Sequence, residues 1–410
     1  MPAARKTIGV VVAALLGLQL AALAQTPPRI DVNQMNPNDL LVSKNSYMSQ
    51  PQSFYYFHHM DELGFQTDWV RKGDQVYPLA GTGGELSVRY TFHGKEYSLE
   101  EYLQRNLVTA ILILHDDRII FEKYFHGADQ SSRFVSQSVS KSIVSILVGA
   151  AVADGKIKSV DDPIVKYLPY LSASGYREVT VKQVLEMATG VDYDETYGDP
   201  NSEAAKLGGA LLSGNPSFRQ YVATMKPTKV KPGTQFNYQS VNTQLLGILL
   251  EQVTGKRLNE YAEEKLWKKI GAQSDAFFYR GKKQPDTCAF ACFNATIRDY
   301  ARVGLMMMRG GELGGKRVVP ASWVHESTTP GAEFLKHTDE PGAGYAYQWW
   351  VPDGKDGAFE ALGIFGQSVY VNPAKHIVIV QTSAWPEAWS LPEAEENAVA
   401  HQAIASALAK

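Results

Sequence analysis

Residues 138–153 read SVSKSIVSILVGAAVA, and this stretch decides how the rest of the sequence is organised. From Ile143 onward almost every residue is apolar, and the run ends at Asp154-Gly155, a typical helix stop. A helix without a polar face is buried on all sides. The stretch therefore predicts a central helix that begins at Ser138, with the other layers of the fold packed around it.

Strand and helix patterns lie on both sides of this helix along the chain. Strands are predicted at residues 110–114, 118–125, 345–351, 367–371 and 376–382, the first two forming a hairpin. Helices are predicted at residues 181–187, 243–253, 258–267, 296–308 and 392–409. This order predicts an α/β (α+β) fold, in which an antiparallel sheet built from both chain ends is flanked by helices. The predicted α/β domain comprises residues 25–180 and 288–410, and a mainly helical domain, 181–287, is inserted.

The composition excludes several classes of protein. The 410 residues are 44% hydrophobic and 20% charged, as in an ordinary soluble globular protein. A formal net charge of -3 argues against a nucleic-acid partner, which requires a basic surface. Two cysteines are too few for a Cys-based zinc module, and no H-E-x-x-H motif occurs among the nine histidines. The sequence therefore predicts neither a metal nor another cofactor.

The first residues predict an export signal. Arg5 and Lys6 precede an apolar run at residues 8–18, which is too short to span a bilayer. A small-x-small site ends at Ala24, so we expect a signal peptide over residues 1–24 and a mature chain that is periplasmic or secreted. The alternative is a buried N-terminal helix. No cysteine lies directly after the apolar run, and no other segment is long enough to cross a membrane, so no membrane anchor is predicted.

Cys288 and Cys292 are the only cysteines of the chain. In an oxidising compartment they can form a disulfide, because a spacing of four brings them within reach in a loop or one helical turn. Two buried free thiols are an equally good interpretation of the sequence.

The strongest chemical signal is Ser138-Val139-Ser140-Lys141 at the start of the central helix. Two residues three positions apart share a helix face, so the Ser138 hydroxyl and the Lys141 amine can meet. Burial and the helix dipole both disfavour a charged Lys141, and a neutral amine beside a hydroxyl is a general base beside a nucleophile. The alternative is that Ser138 caps the helix while Lys141 extends to solvent.

Two further segments carry candidate catalytic groups. Tyr238 follows the turn Pro232-Gly233 and precedes an apolar helix, where its phenol can relay a proton between nucleophile and leaving group. A packed aromatic residue is the alternative. Gly366 lets a backbone approach a ligand closely, and the N–H of Gln367 is a candidate oxyanion donor together with the N–H of Ser138. The start of a strand without a catalytic role is the alternative for this segment.

In their order and spacing, these segments resemble the serine β-lactamase-like superfamily of penicillin-recognising enzymes, which includes the class C β-lactamases. The resemblance covers most of the chain from about Leu107 and includes Pro-Gly-x-x-Phe-x-Tyr-x-Ser at 232–240 and Gly-Tyr-Ala-Tyr-Gln-Trp-Trp at 344–350. Tyr-Gln-Ser at 238–240 and Ile-Phe-Gly-Gln at 364–367 look most like the 6-aminohexanoate-dimer hydrolase branch. The resemblance implies that Ser138 is acylated, Lys141 activates it, Tyr238 shuttles protons, and the N–H groups of Ser138 and Gln367 form the oxyanion hole.

The departures from the family pattern favour a simple substrate. Ile364 stands where β-lactam-recognising relatives are expected to have a lysine that binds the substrate carboxylate, and an apolar side chain cannot do so. We therefore expect a serine hydrolase that cleaves linear amides, such as 6-aminohexanoate oligomers, or simple esters. The alternatives are a β-lactamase, a D-Ala-D-Ala peptidase, or a binder that is acylated without turnover. The predicted partner is a small-molecule amide or ester, and the expected assembly is a monomer or homodimer.

Weaker patterns suggest further substrate contacts. By the resemblance, Tyr193 and Tyr197 belong to an acidic loop over the site, where carboxylates can attract a substrate ammonium. A solvated acidic loop is an equally good interpretation. The full set of expected substrate-binding residues is Tyr193, Tyr197, Ile364, Phe365, Gly366, Trp349 and Trp385. For the two tryptophans, packing in the core or at its edge is the alternative.

Overall fold

The computed structural model describes residues 47–338, 343–354 and 356–409. The predicted signal peptide and its cleavage site after Ala24 lie outside the described residues. Within the described parts of the chain, no helix is both long and apolar enough to cross a membrane.

Strands and helices occur in consecutive groups along the chain. The described strands are β1 Gln66–Val70, β2 Arg89–Phe92, β3 Lys95–Ser98, β4 Val108–His115, β5 Arg118–Tyr124, β6 Phe134–Val135, β7 Ala276–Arg280, β8 Phe293–Ala295, β9 Glu312–Leu313, β10 Lys316–Arg317, β11 Ala343–Tyr345, β12 Trp350–Pro352, β13 Phe359–Gly363, β14 Gln367–Asn372 and β15 Ile377–Ser383. The α-helices are α1 Gln52–Tyr56, α2 Leu99–Arg105, α3 Val139–Ala153, α4 Val181–Leu185, α5 Glu203–Ser213, α6 Phe218–Ala223, α7 Ser240–Thr254, α8 Leu258–Ala262, α9 Ile297–Met308, α10 Ala321–Ser327, α11 Glu333–Lys336 and α12 Leu391–Leu408.

A seven-stranded antiparallel sheet in the order β11-β12-β13-β14-β15-β4-β5 is the main layer. It joins the hairpin before α3 to the strands near the C-terminus, so the predicted sheet from both ends of the chain is confirmed. Strand β4 is buried from Val108 to Leu114 and apolar from Ala110 to Leu114, because both of its faces are covered. Leu112 packs into the core that contains α3, whereas Ile111 and Ile113 pack into the cluster that contains Ile404 of α12.

The central helix is buried as its sequence predicts. Every residue of α3 from Val139 to Ala151 is buried. Gly149 meets the indole of Trp323 so closely that a Cβ at this position would lie 2.4 Å from Nε1. Helix α3 packs against α7 and against β13 of the large sheet, which places its first turn beside the end of that strand. The division into two domains stays a prediction.

The predicted strand at residues 345–351 is wrong in one respect, because it is two short strands joined by a turn. Strand β11 ends at Tyr345, β12 begins at Trp350, and Ala346 N–H donates to Trp349 O at 3.0 Å between them. Gln348 adopts a left-handed backbone with φ 63°. Its buried amide donates to Leu185 O at 2.7 Å and accepts from the Thr243 hydroxyl at 2.6 Å, which fastens the turn to α4 and α7.

Candidate active site

The first turn of α3 presents Ser138 without using its hydroxyl as a helix cap. Ser138 is the residue that precedes the helix, and its side chain makes no capping hydrogen bond. The preceding residue, Gln137, has a left-handed backbone with φ 45°, an unfavourable conformation for a side chain with a Cβ. The Ser138 hydroxyl is therefore available for chemistry at the edge of a cleft, with the side chain only 7% exposed.

Lys141 lies one helical turn further along, and its amine is held between two oxygens. The Nζ atom donates to Ser138 Oγ at 2.8 Å and to the backbone oxygen of Phe290 at 2.9 Å. Lys141 is only 1% exposed. The alternative in which Lys141 extends to solvent is therefore excluded.

Burial lowers the pKa of Lys141 from its ordinary 10.5 to about 8. Removal from water disfavours the charged amine, and the nearby Glu195 carboxylate opposes this effect in part. At pH 7.4 about a fifth of the amine is therefore neutral, the state in which its lone pair can accept a proton.

Tyr238 lies on the same side of the cleft. The centre of its ring is 5.1 Å from the Nζ atom of Lys141. The ring stacks on Trp350 at 5.6 Å and meets Tyr345 edge-on at 6.3 Å, so neighbouring aromatic residues fix its position. The structure thus brings Ser138, Lys141 and Tyr238 together at one site.

Glu195 is a site residue that the sequence analysis did not single out. Its carboxylate accepts hydrogen bonds from the Ser240 N–H at 2.8 Å, the Ser240 hydroxyl at 2.5 Å and the Tyr197 hydroxyl at 2.9 Å. Burial raises the pKa of Glu195, whereas the charge of Lys141 lowers it. In the sequence, Glu195 could have been found as an acidic residue between Tyr193 and Tyr197, in the segment predicted to cover the site.

Two cavities meet at Ser138, and the segment from Glu195 to Tyr197 lines both. The inner cavity has a volume of about 110 Å³ and is lined mainly by apolar side chains, including Met48, Tyr193, Leu207, Leu211, Phe290, Ile364 and Phe365. The outer cavity has a volume of about 360 Å³ and includes Tyr238, Trp350, Leu362, Gly363, Ile364 and Trp389. Among the described residues that line the two cavities, the charged side chains are all carboxylates, namely Asp194, Glu195 and Asp199.

The structure corrects the assignment of Gln367 to the oxyanion hole. A turn separates Gln367 from β13, so it pairs with Gly363 on the neighbouring strand and its buried amide donates to Ser383 O at 2.8 Å. Gln367 does not line either cavity at Ser138. Instead, Gly363 passes so close that a Cβ there would lie 3.0 Å from the Ser138 nitrogen, and the next residue, Ile364, lines both cavities.

Two predicted tryptophan contacts are also corrected. Trp349 is 1% exposed and packs against Phe359 in the core, while its neighbour Trp350 lines the outer cavity. Trp385 is 2% exposed, and its indole donates to Asn106 O at 3.1 Å.

The remaining predicted substrate contacts fall at or near the cleft. Tyr193 and Phe365 line the inner cavity, and Tyr197 and Ile364 line both cavities. Gly366 lies one layer behind, under the Trp385 ring, where a Cβ would come within 2.5 Å of the indole. The hydroxyl of Tyr193 is buried without a hydrogen-bond partner among the described residues.

Cys288 and Cys292 form a disulfide, which decides between the two interpretations of their spacing. Among the described residues, no group of three or more His, Cys, Asp or Glu side chains is arranged to hold a metal ion.

Comparison with known proteins identifies the family of the chain. The model of the family described as Beta-lactamase matches residues 99–403 of the chain. The chain belongs to the beta-lactamase family. The fold and the resemblance predicted from the motifs are thereby confirmed, and the protein is a hydrolase of this serine-hydrolase fold.

Within the beta-lactamase family, the chain is similar to enzymes named for amide and ester hydrolysis. It is 34% identical over 306 residues to the 6-aminohexanoate-dimer hydrolase of Paenarthrobacter ureafaciens, covering 70% of this chain and 76% of the relative. A solved structure named "Putative 6-aminohexanoate-dimer hydrolase from Bacillus anthracis" matches with a TM-score of 0.80 at 25% identity, over 91% of this chain and 99% of the other. A family VIII carboxylesterase shares the fold, with a TM-score of 0.58 at 16% identity over 74% and 96% of the two chains.

Proposed function

We propose that the protein hydrolyses linear amides or simple esters through an acyl-enzyme at Ser138. The neutral Lys141 amine accepts the Ser138 proton while Oγ attacks the substrate carbonyl. The proton then passes, by way of Tyr238, to the departing amine or alcohol as the bond to the carbonyl breaks. Water cleaves the resulting ester on Ser138 by the reverse proton route and releases the acid.

The observation that carries this proposal is the buried contact between Lys141 Nζ and Ser138 Oγ at 2.8 Å. A buried amine with a lowered pKa beside a hydroxyl is costly to maintain, and that cost has a purpose where the amine acts as a base. The Ser138 N–H lies directly before α3, and we assign the second oxyanion donor to the N–H of Ile364 in place of Gln367. The assignment of Ile364 is supported by its neighbour Gly363, which lies close to the Ser138 nitrogen.

The charges of the cleft support an amine-bearing substrate over a carboxylate-bearing one. Carboxylates are the charged groups on the described cavity walls, and Leu362 and Ile364 are apolar. A substrate carboxylate would meet like charge there, whereas an ammonium would be attracted. This supports amino-terminated linear amides, in agreement with the name of the relative from Paenarthrobacter ureafaciens, and it disfavours β-lactams and D-Ala-D-Ala peptides.

The test combines labelling with a substrate panel. A fluorophosphonate probe should label the wild-type protein and leave Ser138→Ala unlabelled. Ser145→Ala, which removes another buried hydroxyl of the same helix, should be labelled like wild type. The 6-aminohexanoate dimer and p-nitrophenyl butyrate should turn over, and nitrocefin should not. Equal labelling of Ser138→Ala, or turnover that survives this substitution, would contradict the proposal.

We also propose that the protein works in the periplasm or outside the cell. The charged start and apolar run of the first residues support this, and so does the Cys288–Cys292 disulfide, which persists in oxidising compartments. N-terminal sequencing of the protein from the periplasm or medium of its host should give Gln25 as the first residue. An intact Met1 in protein from the cytoplasm would contradict this.

A further inference from the structure

The disulfide closes a short loop whose backbone oxygens contact two neighbouring residues in the first turn of α3, Ser140 and Lys141. Between Cys288 and Cys292, the backbone oxygen of Ala289 accepts from the Ser140 hydroxyl at 2.8 Å. The next backbone oxygen, that of Phe290, accepts from Lys141 Nζ at 2.9 Å. One covalently closed loop therefore supplies both contacts.

The loop is anchored at its ends by buried groups. Ala289 N–H donates to the side-chain oxygen of Gln244 at 2.9 Å, and Cys292 O accepts from Tyr279 N–H at 3.0 Å. Phe290 and Ala291, in the middle of the loop, line the inner cavity together with Cys292. The disulfide draws the two Cα atoms to 5.7 Å, so the Phe290 carbonyl is held from both sides.

The Phe290 carbonyl determines how a neutral Lys141 amine is oriented. Such an amine has two N–H bonds and one lone pair. When one N–H is donated to Phe290 O, rotation about the terminal C–N bond is restricted, and the lone pair can be directed at the Ser138 hydroxyl. If the carbonyl moves, the amine loses this orientation and water gains access to it, which favours the charged form.

We propose that the Cys288–Cys292 disulfide is a positioning element that holds the Phe290 carbonyl against Lys141 and so keeps the amine oriented as a base. This inference rests on the proposed role of Lys141. A dithiol that reduces the disulfide delivers two electrons and two protons, yields two cysteine thiols and is itself oxidised to a disulfide. Reduction therefore releases the loop and slows acylation, and reoxidation restores it.

The experiment compares wild type with a Cys288→Ala/Cys292→Ala double variant, using p-nitrophenyl butyrate over a range of pH. The double variant should lose about tenfold in kcat near neutral pH, because the Phe290 carbonyl orients the reacting group. KM should change less than kcat, because the loop forms only part of the inner cavity wall. The acid limb of its kcat profile should move to higher pH, because more water around Lys141 raises its pKa. Wild type reduced with dithiothreitol, with free thiols verified by alkylation and mass measurement, should behave likewise and recover on reoxidation with glutathione disulfide.

A matched control separates positioning from general loss of stability. Ile404→Ala removes a buried side chain in the cluster on the opposite face of the sheet, away from the loop. It should lower the melting temperature and leave the kcat profile in place. An unchanged kcat profile in the double variant, or an equal change in Ile404→Ala, would overturn the inference. Absence of Ser138-dependent turnover in oxidised wild type would instead contradict the proposed function.

Discussion

The Nζ atom of Lys141 lies 2.8 Å from the Oγ atom of Ser138, and the two side chains are only 1% and 7% exposed. The three-residue spacing at the start of α3 brings them together, and the apolar helix that follows fixes the turn in the core. An amine in this position is destabilised in its charged form. The pair thus carries a cost in stability, which can be measured separately from its effect on activity.

The first prediction is a pH dependence of turnover. The neutral form of Lys141 is the active base, so kcat should rise with pH through an acid limb near the pKa of the amine, about 8. Rates for p-nitrophenyl butyrate between pH 5.5 and 9.5 test this, after correction for spontaneous hydrolysis. A kcat that is flat from pH 6 to 9 would show that Lys141 does not control the rate in this range.

The second prediction is that Lys141→Met makes an inactive but more stable protein. Below pH 8 the folded wild-type protein buries the charged Lys141 amine, and the lowering of its pKa from 10.5 to about 8 corresponds to a cost of about 3 kcal/mol. Lys141→Met removes this cost, but it also loses the hydrogen bond to Phe290 O, which offsets part of the gain. The expected net gain in the free energy of unfolding at pH 7 is about 1–2 kcal/mol.

The sign of this effect gives a check against pH. Between about 8 and 10.5 the unfolded chain holds a proton that the folded chain has released, so the stability of wild type rises with pH in this window. The advantage of Lys141→Met should therefore shrink toward pH 10, as followed by urea unfolding. Lys206→Met, at a half-exposed surface lysine, should be close to neutral throughout. A constant advantage at all pH values would point to packing alone.

The third prediction concerns Glu195. Glu195→Gln removes a negative charge that lines both cavities. KM for the 6-aminohexanoate dimer, which carries an ammonium group, should therefore rise about tenfold. KM for p-nitrophenyl butyrate, which is uncharged, should change by less than about twofold. Because the Glu195 carboxylate raises the pKa of Lys141, its removal should also move the acid limb of kcat to lower pH.

Asp192→Asn is the matched control for Glu195→Gln. Asp192 is an exposed carboxylate of the same segment, and it does not line either cavity. It should leave both KM values and the acid limb unchanged. If Asp192→Asn and Glu195→Gln act alike, the segment works through general charge and not through a contact at the site.

The sequence was sufficient where a local rule applied. The helix at α3 followed from an apolar run, and the meeting of Ser138 and Lys141 followed from helical spacing. The register near Gly363 was not predictable in this way, because β13 contains Glu360 between apolar residues and was missed as a strand. Without that strand, the sequence does not distinguish Gly366, which precedes Gln367, from Gly363, which lies beside Ser138.

The contacts made by backbone atoms were the hardest to foresee. The Phe290 carbonyl reaches Lys141 across 149 positions of sequence, and nothing in the side chain of Phe290 signals it. Likewise, the predicted strand at residues 345–351 places Trp349 and Trp350 on opposite faces, but its sequence does not show which of the two faces the core. The turn held by Gln348 decides that Trp349 enters the core and Trp350 faces the cleft.

The last prediction concerns Glu360, a buried carboxyl that the proposed reaction does not use. It lies on β13 opposite Trp350 and is 7% exposed, and burial raises its pKa from 4.5 to about 7. Below pH 4.5 the Glu360 carboxyl is neutral in both the folded and the unfolded chain. Between pH 4.5 and 7 the folded chain keeps a proton that the unfolded chain has lost, so the free energy of unfolding falls as the pH rises. Above pH 7 the folded chain must bury the charge, at a cost of about 3 kcal/mol.

Glu360→Gln should therefore raise the free energy of unfolding at pH 8 by about 2–3 kcal/mol and change it little at pH 4, because a neutral amide resembles the protonated acid. Urea unfolding at the two pH values measures the difference directly. Glu85→Gln, whose side chain is 95% exposed, should show no gain at either pH and serves as the control. An equal gain at both pH values would mean that the substitution acts through packing or hydrogen bonding and that the Glu360 carboxyl does not titrate in this range.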